Sequence, residues 1–453
     1  MLLDYFAVGG TSGNEVWNTV RTSAYLANVG SPFDSGSSWC TCPTLTRQML
    51  DPDGEAAPAT YDTPVTAPAP WYDADFPDSG RFLGFLPLSM SGLDDSPRAR
   101  NITGGVGGGG VFGPNRTLPR TITVTGLLIG TSCCAVEYGL HYLAEALAGC
   151  TGDSCDGDCA EMFNCCPDTT MTRAAFLAQH RRTYRRVALV SGPTVTDRVG
   201  SGGSCAAGTC GANGDILQVE FVLVAGTPWP WTDTTPLLDV DLPIGGSGDC
   251  IEWCMSHQIG DTDPLCAPGE CVHAACTSET DPCADPLRAV PAPPVPTAPD
   301  PGFCIPLADE RACYTIDLTT RPQWSSDAPM ITVLAGSSEL RNVRVSMFEK
   351  QTGTTQTCDE IADQQRCSPL NDFYITYIPA GGSVTIDGQT GRATTECEGD
   401  CRTASTVFGS SDGGPVKINE LTCAQLCVCV SSDPQFPPAV DASVTLGVSG
   451  RGF

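Results

Sequence analysis

The residues best equipped for chemistry in this chain are its cysteines, 26 among 453 residues. Cys250, Cys254 and His257, followed by Cys266, Cys271, His273 and Cys276, supply enough soft ligands for one or two zinc ions. Their spacings fit no finger or ribbon, because the usual two-residue gap between paired cysteine ligands is missing. The same residues make acceptable disulfides, which is the favoured reading; zinc and free thiols are the alternatives. Elsewhere Cys205 and Cys210 bracket a turn, and Cys358 and Cys367 close a polar loop between two strands, so each pair can bridge locally. Cys427 and Cys429 stand two apart on a strand and point to the same face, so they do not easily pair with each other and need partners such as Cys397, Cys401 or Cys423. The adjacent Cys133 and Cys134 open a helix and read as buried side chains.

Staples of this kind persist only in an oxidising setting. The N-terminus MLLDYFAVGGTSGNEVW nevertheless carries no positively charged region ahead of an apolar stretch, so it does not read as a secretory signal. A particle assembled in cytoplasm and released later reconciles the two. No run of 18 apolar residues is present to span a bilayer. Catalysis is not expected: the four histidines, His141, His180, His257 and His273, sit in no serine- or cysteine-nucleophile motif, and no cofactor motif appears.

Charge excludes another class. With 24 Lys and Arg against 52 Asp and Glu, the formal net charge is -28, which opposes a grip on phosphates and suits a wall that DNA slides past; the alternative is an acidic surface that serves solubility alone. Arg181, Arg182, Arg185 and Arg186 are a local exception. They are candidates for DNA contact or, preferably, for a salt-bridged interface with an acidic neighbouring subunit, with Tyr184 and Val187 on a strand whose polar face meets protein. Trp229 and Trp231 read as anchors of a domain edge, or as ordinary core closure.

The elements that must position these residues are short and mostly extended. The 49 Gly and 37 Pro favour strands joined by turns. From Arg120 to Gly149 the hydrophobic period changes: Ile122, Val124, Leu127 and Ile129 follow a strand, then Val136, Leu140, Leu143 and Leu147 form one stripe of a helix, capped by Thr131 or Ser132 and stopped by Gly149. Further strands are expected at Glu15–Leu26, Thr183–Val190 and Asp215–Val224, the last ended by Gly226-Thr227-Pro228, and a short helix at Met171–His180. The glycine run Gly104–Gly110 holds no fixed conformation by itself. A polyproline-type stretch, PLRAVPAPPVPTAPDPG, marks a boundary. Beyond it, strands recur at Tyr314–Leu318, Met330–Leu334, Asn342–Phe348, Phe373–Ile378, Val384–Ile386, Leu426–Val430 and Ser443–Val448, as in a β-sandwich. IPAGGSVTIDG reads as two strands joined by a Gly381-Gly382 turn, with Asp387-Gly388 opening a second turn.

Two passages resemble siphophage distal tail proteins, closest to the minor tail proteins of actinobacterial phages. SGLDDSPRARN at 91–101, the glycine-rich loop, RTITVTGLLIGTS, RRTYRRVALVSGP and QVEFVLVAGTPWPW follow the order of that family's N-terminal domain. LRNVRVSMFEK, DFYITYIPAGGSVTIDGQTGRAT and the closing VDASVTLGVSGRGF resemble its C-terminal galectin-like sandwich. The resemblance implies a mainly β protein with minor α: a ring-forming α+β split-barrel or belt-like domain with one main helix at 1–235, including the loops 104–110 and 150–166; a Cys/Pro-rich insertion and linker at 236–310; and a galectin-like β-sandwich at 311–453. It also implies a homohexameric ring at the distal end of the virion tail, assembled in host cytoplasm. Its partners would be the tail tube protein, a baseplate hub or tail-associated protein and other minor tail proteins, and DNA would pass through the lumen without specific binding. The alternative is a carbohydrate-binding host-adhesion module of the tail tip.

Overall fold

The computed structural model describes residues 3–28, 42–50, 63–148, 157–200, 215–244, 310–321 and 326–451, short breaks aside, together with 251–252 and 304–305. The fold is mainly β with few helices. Two compact units are present: Met1–Thr235 with Ser325–Ala328 and Val448–Phe453, and Pro236–Trp324 with Pro329–Gly447.

The first unit is built on strands β1 (Tyr5–Val8), β2 (Asn14–Asn18), β3 (Phe82–Ser91), β4 (Arg120–Gly130), β5 (Asp158–Phe163), β6 (Arg181–Gly200) and β7 (Asp215–Trp231). They pair antiparallel in the order β2-β1-β5-β6-β7-β4-β3. Trp17 on one edge strand stacks on Phe6 at 4.4 Å and meets Phe85, on the opposite edge strand, at 5.1 Å and Phe221 of β7 at 6.3 Å. One indole therefore touches both ends and the middle of the sheet, so the sheet curls into a barrel left open between β2 and β3. Aromatic contacts of this kind stabilise by about 0.5–1.5 kcal/mol each beyond burial.

The change of period after Arg120 is realised as β4 followed by helix α2 (Cys133–Ala148). Ser132 Oγ accepts from the Ala135 backbone at 3.2 Å, which satisfies one free donor of the first turn. Val136, Leu143 and Leu147 are buried against the barrel, and Leu140 packs half-buried beside them. Gly139 lets the helix approach closely, since a Cβ there would lie 2.2 Å from the Phe82 ring. Gly149 lies outside the described residues.

Four expectations for this unit are corrected. Glu15–Leu26 is not one strand: it breaks at Asn18, whose side-chain oxygen accepts from the Arg21 backbone at 3.1 Å and opens helix α1 (Thr19–Asn28), with Thr22, Tyr25 and Leu26 on its buried face. β7 does not stop at Gly226; a register shift between Thr183 and Arg185 on β6 accommodates Pro228 and Pro230, and pairing resumes at Trp231. The cysteine-rich loop 150–166 contains β5, which pairs with β1 and β6. Cys133 and Cys134 are both disulfide-bonded rather than simply buried. The short helix expected near Met171–His180 is α3 (Arg173–His180), capped by Thr172.

Two sheets make up most of the second unit. Its strands are β8 (Thr235–Asp241), β9 (Glu310–Asp317), β10 (Asp327–Leu334), β11 (Leu340–Lys350), β12 (Asn371–Ile378), β13 (Ser383–Asp387), β14 (Arg392–Cys397), β15 (Asp400–Thr403), β16 (Val407–Phe408), β17 (Gln425–Ser432) and β18 (Ser443–Gly450). The sheet orders are β8-β18-β10-β13-β14-β15 and β9-β17-β11-β12-β16. Ile331, Val333, Val384 and Ile386 on one sheet and Val343, Val345, Phe373, Ile375, Val428 and Val430 on the other are all buried at every second position, the pattern of two inner faces.

Two local readings change here. Gly381-Gly382 is a turn but not a hairpin, because β12 and β13 belong to different sheets. The turn is instead tied to the loop after β10, with Gly381 N donating to Gly336 O at 2.8 Å and Ala335 N to Gly382 O at 3.0 Å. Asp387-Gly388 does open a hairpin, β13 to β14. The segment between Cys358 and Cys367 is no loop: helix α4 (Cys358–Gln365) starts there on a capping box made by Thr357 and Glu360.

Candidate functional site

The cysteines of the second unit converge under α4. On β17, Val428 and Val430 face the interior, so Cys427 and Cys429 face outward, where α4 covers them with Cys358, Ile361 and Ala362 against Phe348. Cys358 is bonded to Cys427, and Cys313, directly opposite Cys429 on β9, is bonded to Cys429. The pairing of Cys358 with Cys367, and of Cys427 or Cys429 with Cys397, Cys401 or Cys423, is therefore not the one adopted. Local spacing favoured a short loop, but the helix carries Cys358 onto the sheet. Cys42 and Cys166 are bonded in the first unit, while Cys159 and Cys165 are free thiols. Cys205, Cys210, Cys367 and Cys423, together with Cys250, Cys254, His257, Cys266, Cys271, His273 and Cys276, lie outside the described residues, as do the side chains of Cys397 and Cys401. Among the described residues no group of three or more His, Cys, Asp or Glu side chains could hold a metal ion.

The arginine run begins β6, and the structure divides it. Arg181 forms a two-pronged bond to Asp233 at 2.9 Å and lies 3.9 Å from Glu161, so its acidic partners are within its own unit. The hydrogen bond to Asp233 raises its pKa. Arg182 is buried and donates to the carbonyls of Gln179 and Arg181 at 2.9 and 2.7 Å, closing the end of α3; burial lowers its pKa. Arg185 reaches the Cys159 sulfur at 2.8 Å, and Arg186 adopts a left-handed φ of 59°. Tyr184 and Val187 point into the core. The four guanidiniums thus form no single outward stripe.

A different surface stands out, between β3 and β4. Ile102–Gly104 pairs with Gly110–Phe112 as a two-stranded arm, in the register Ile102 to Phe112, Thr103 to Val111 and Gly104 to Gly110. The glycine run is thus the tip of a formed hairpin, with Gly108 and Gly109 at φ 87° and 81° and Gly105 N donating to Gly109 O at 2.9 Å. Cross-strand partners share a face, so Ile102 and Phe112 lie on one side of the ribbon and Val111 on the other. Their exposures are 67%, 66% and 66%. Both faces of the arm are apolar and uncovered in the single chain.

The root of the arm is fixed. Arg98–Ala99 pairs with Arg116–Thr117, and Leu118 N donates to Pro97 O at 2.7 Å. Arg120, buried at the start of β4, donates from Nε to Pro228 O at 2.7 Å and from NH1 to Gly92 O and Leu93 O, both at 2.6 Å. One guanidinium so joins the strand before the arm, the strand after it and β7. Beside it the Trp229 ring lies 4.1 Å from the Arg451 guanidinium and 5.5 Å from that of Arg98. Burial, and then the Arg98 charge, push the Arg451 pKa down to about 10. Between Pro97 and Arg120 the sequence holds Arg98, Arg100, Arg116 and Arg120 and no Asp or Glu.

No family model matches the chain, and no curated protein does. Among solved structures, the SPP1 Dit (gp 19.1) protein, described as a paradigm of hub adsorption apparatus in Gram-positive infecting phages, aligns over 81% of this chain and 93% of its own, at 8% identity and a TM-score of 0.34. A chain from the phage p2 baseplate in its activated conformation with Sr aligns over 81% of this chain and 90% of its own, at 11% identity and a TM-score of 0.35.

The arm was missed as a site in the sequence because seven consecutive residues dominated by glycine read as slack. The signal lay in the flanks: Ile102 before the run, and Val111 and Phe112 after it, at the symmetric positions of a hairpin. No helix among the described residues is long and apolar enough to cross a membrane.

Proposed function

We propose that this chain is a structural subunit of a phage tail tip. Copies of it close into a ring, hexameric by the family resemblance, that joins the tail tube to the baseplate and surrounds the DNA channel. The observation that carries the reading is the arm at Ile102–Phe112. A lone two-stranded hairpin is marginal in water, and this one leaves three large apolar side chains in solvent. Covering the two-thirds of each that is still exposed contributes about 1–2 kcal/mol, which makes the arm a surface suited to a partner. Arg98, Arg100 and Arg116 at the root of the arm sit in a chain of net charge -28, which makes an acidic second copy an electrostatically suitable partner. Repeated head-to-tail contacts of one surface on another close into rings when the rotation allows. The sequence passages that resemble distal tail proteins support the same assignment, and an acidic lumen would let DNA pass without sticking. Tube and hub proteins are the neighbours proposed above and below.

The test is the native mass of the purified chain with negative-stain images, alongside a variant in which residues 102–112 are replaced by a short Gly-Ser turn. The expected result is a ring with a central hole for the native chain and monomers that still unfold cooperatively for the variant. A native chain that stays monomeric at high concentration would overturn the reading.

A further inference from the structure

The loop before β3 is tied firmly to α2 and yet leaves an aromatic ring in solvent. Trp71 is buried, with Nε1 donating to Phe82 O at 3.0 Å, and Tyr138 of α2 donates from Oη to Trp71 O at 2.6 Å. Successive turns follow: Phe76 N donates to Asp73 O at 3.1 Å, Ser79 N to Phe76 O at 2.9 Å and Ser79 Oγ to Asp73 O at 2.7 Å. The Asp73 carboxylate accepts from the Asp75 backbone at 2.9 Å. Phe76 is thus fixed on both sides, with its ring 6.5 Å from that of Tyr138, but it remains 57% exposed. In the same loop Val65 lies over Gly80, where a Cβ would come within 2.8 Å of its methyl group, and Val65 is exposed as well.

Among the described residues of the first unit, Phe76 and Phe112 are the two aromatic side chains that stay exposed. Their surroundings carry opposite charge. From Thr63 to Gly80 the sequence holds Asp73, Asp75 and Asp78 and no Lys or Arg, and Glu137, one position before Tyr138 on α2, is exposed. Burial, and then the charge of Asp73, raise the Tyr138 pKa, so that carboxylate acts on the phenol beside the Phe76 ring. At the root of the arm Arg98, Arg100 and Arg116 are exposed, with no acid between Pro97 and Arg120. Val190 and Val195 are also exposed, but Asp197 and Arg198 beside them give that strand no net sign. The Phe76 loop and the arm are each uncovered in one chain, so the arm does not occupy the loop of its own copy.

We propose that the socket for the arm is the Phe76 loop of the next copy: Ile102 and Phe112 cover Phe76 and Val65, while the arginines at the arm's root meet Asp75, Asp78 and Glu137. This rests on the ring reading and adds to it the surface that each arm grips. Arm and socket are different surfaces of one chain, so the contact is head-to-tail, and every copy both gives an arm and receives one. The paired phenylalanines form the water-excluding centre in which a contact of this kind concentrates its energy. Opposite charges around them steer the approach and fix the register. Because those charges are exposed, salt screens them.

The experiment measures the native mass of the full chain, of Phe76→Ser, of Asp75→Arg with and without Arg100→Glu, and of the chain whose residues 102–112 are replaced by a Gly-Ser turn. Phe76→Ser should keep the native melting temperature and stay monomeric where the native chain is assembled. Asp75→Arg should weaken assembly by about tenfold or more, and adding Arg100→Glu should restore it. Phe76→Ser keeps a working arm and the arm-replaced chain keeps a working socket. Mixed at high concentration, the two should form one-to-one dimers that grow no further, although neither pairs alone. A Phe76→Ser chain that assembles like the native one, or a mixture that gives no dimers, would overturn the proposal and leave the ring reading standing, since the arm would then grip elsewhere. Native assemblies that are open chains, dissolved by Phe76→Ser, would sink the ring and keep the socket; a native chain that stays monomeric would overturn both.

Discussion

Removing the bond between α4 and β17 gives the most quantitative test of how the second unit is held. In Cys358→Ala with Cys427→Ala, the packing against Phe348 and Ile361 is nearly conserved, so the loss falls on the cross-link. The bond closes a loop of sequence separation 69. Constraining such a loop in the unfolded chain stabilises the native state by about 4 kcal/mol in the chain-entropy account. α4 has eight residues, too few to be helical alone, so its capping box and Ile361 cannot replace the tether. With a urea slope of about 2–3 kcal/mol per molar, the midpoint of the second unit should fall by about 1.5–2 M. Pulse proteolysis of the full chain reads this directly, because its fragments report the two units separately, and alkylation with intact mass verifies the native bond. The partner bond, Cys313 to Cys429, spans 116 residues, and the logarithm makes its removal costlier by only about 0.5 kcal/mol. A midpoint shift below about 0.5 M for the first pair, with the native bond intact, would refute the view that the tether holds α4.

Two further outcomes are expected in the first unit. Arg120→Met should lower its stability by about 3 kcal/mol, since three carbonyls lose a buried charged donor, and Arg120→Lys should restore little because an ammonium cannot reproduce the fork; thermal unfolding of both variants checks this. Burial raises the phenol pKa of Tyr5, Tyr142 and Tyr184, that of Tyr184 to about 12. A folded pKa above the unfolded value near 10 means that their stabilising contribution is complete below pH 10 and is lost as pH rises toward 12. In an alkaline titration these three tyrosines should stay neutral until the unit unfolds; tyrosinate absorbance that is complete before circular dichroism changes would contradict the burial.

What the sequence made legible, and what it hid, follows physical lines. The run from Arg120 to Ala148 could be read because its apolar period changes from two to nearly four within ten residues, and both periods are satisfied by one core. Most strands of the second unit were readable for the same reason. Glu15–Leu26 misled because Val16, Trp17 and Val20 favour strand locally, whereas the decision is made by the cap at Asn18. The turn at Gly381-Gly382 was recognisable as a turn, but whether β12 and β13 pair is decided by contacts with Gly336, far away in sequence.

β17 shows how a correct local rule can point to a wrong partner. The alternation of Cys427, Val428, Cys429 and Val430 places thiols on one side and valines on the other, so the two cysteines cannot bond each other. The same alternation carries a second consequence. If the valine side lines the interior, the cysteine side faces outward, and a face carrying two buried sulfurs needs a second cover. That cover had to be a segment with its own cysteine and an apolar stripe. Thr357-Cys358-Asp359-Glu360, a capping box followed by Ile361 and Ala362, is such a segment, and it requires a helix where a loop was expected. The pairing of Cys427 therefore depends less on sequence distance between cysteines than on which elements can lie over the outer face of the sheet, and the cap at Thr357 is the residue-level signal that decides it.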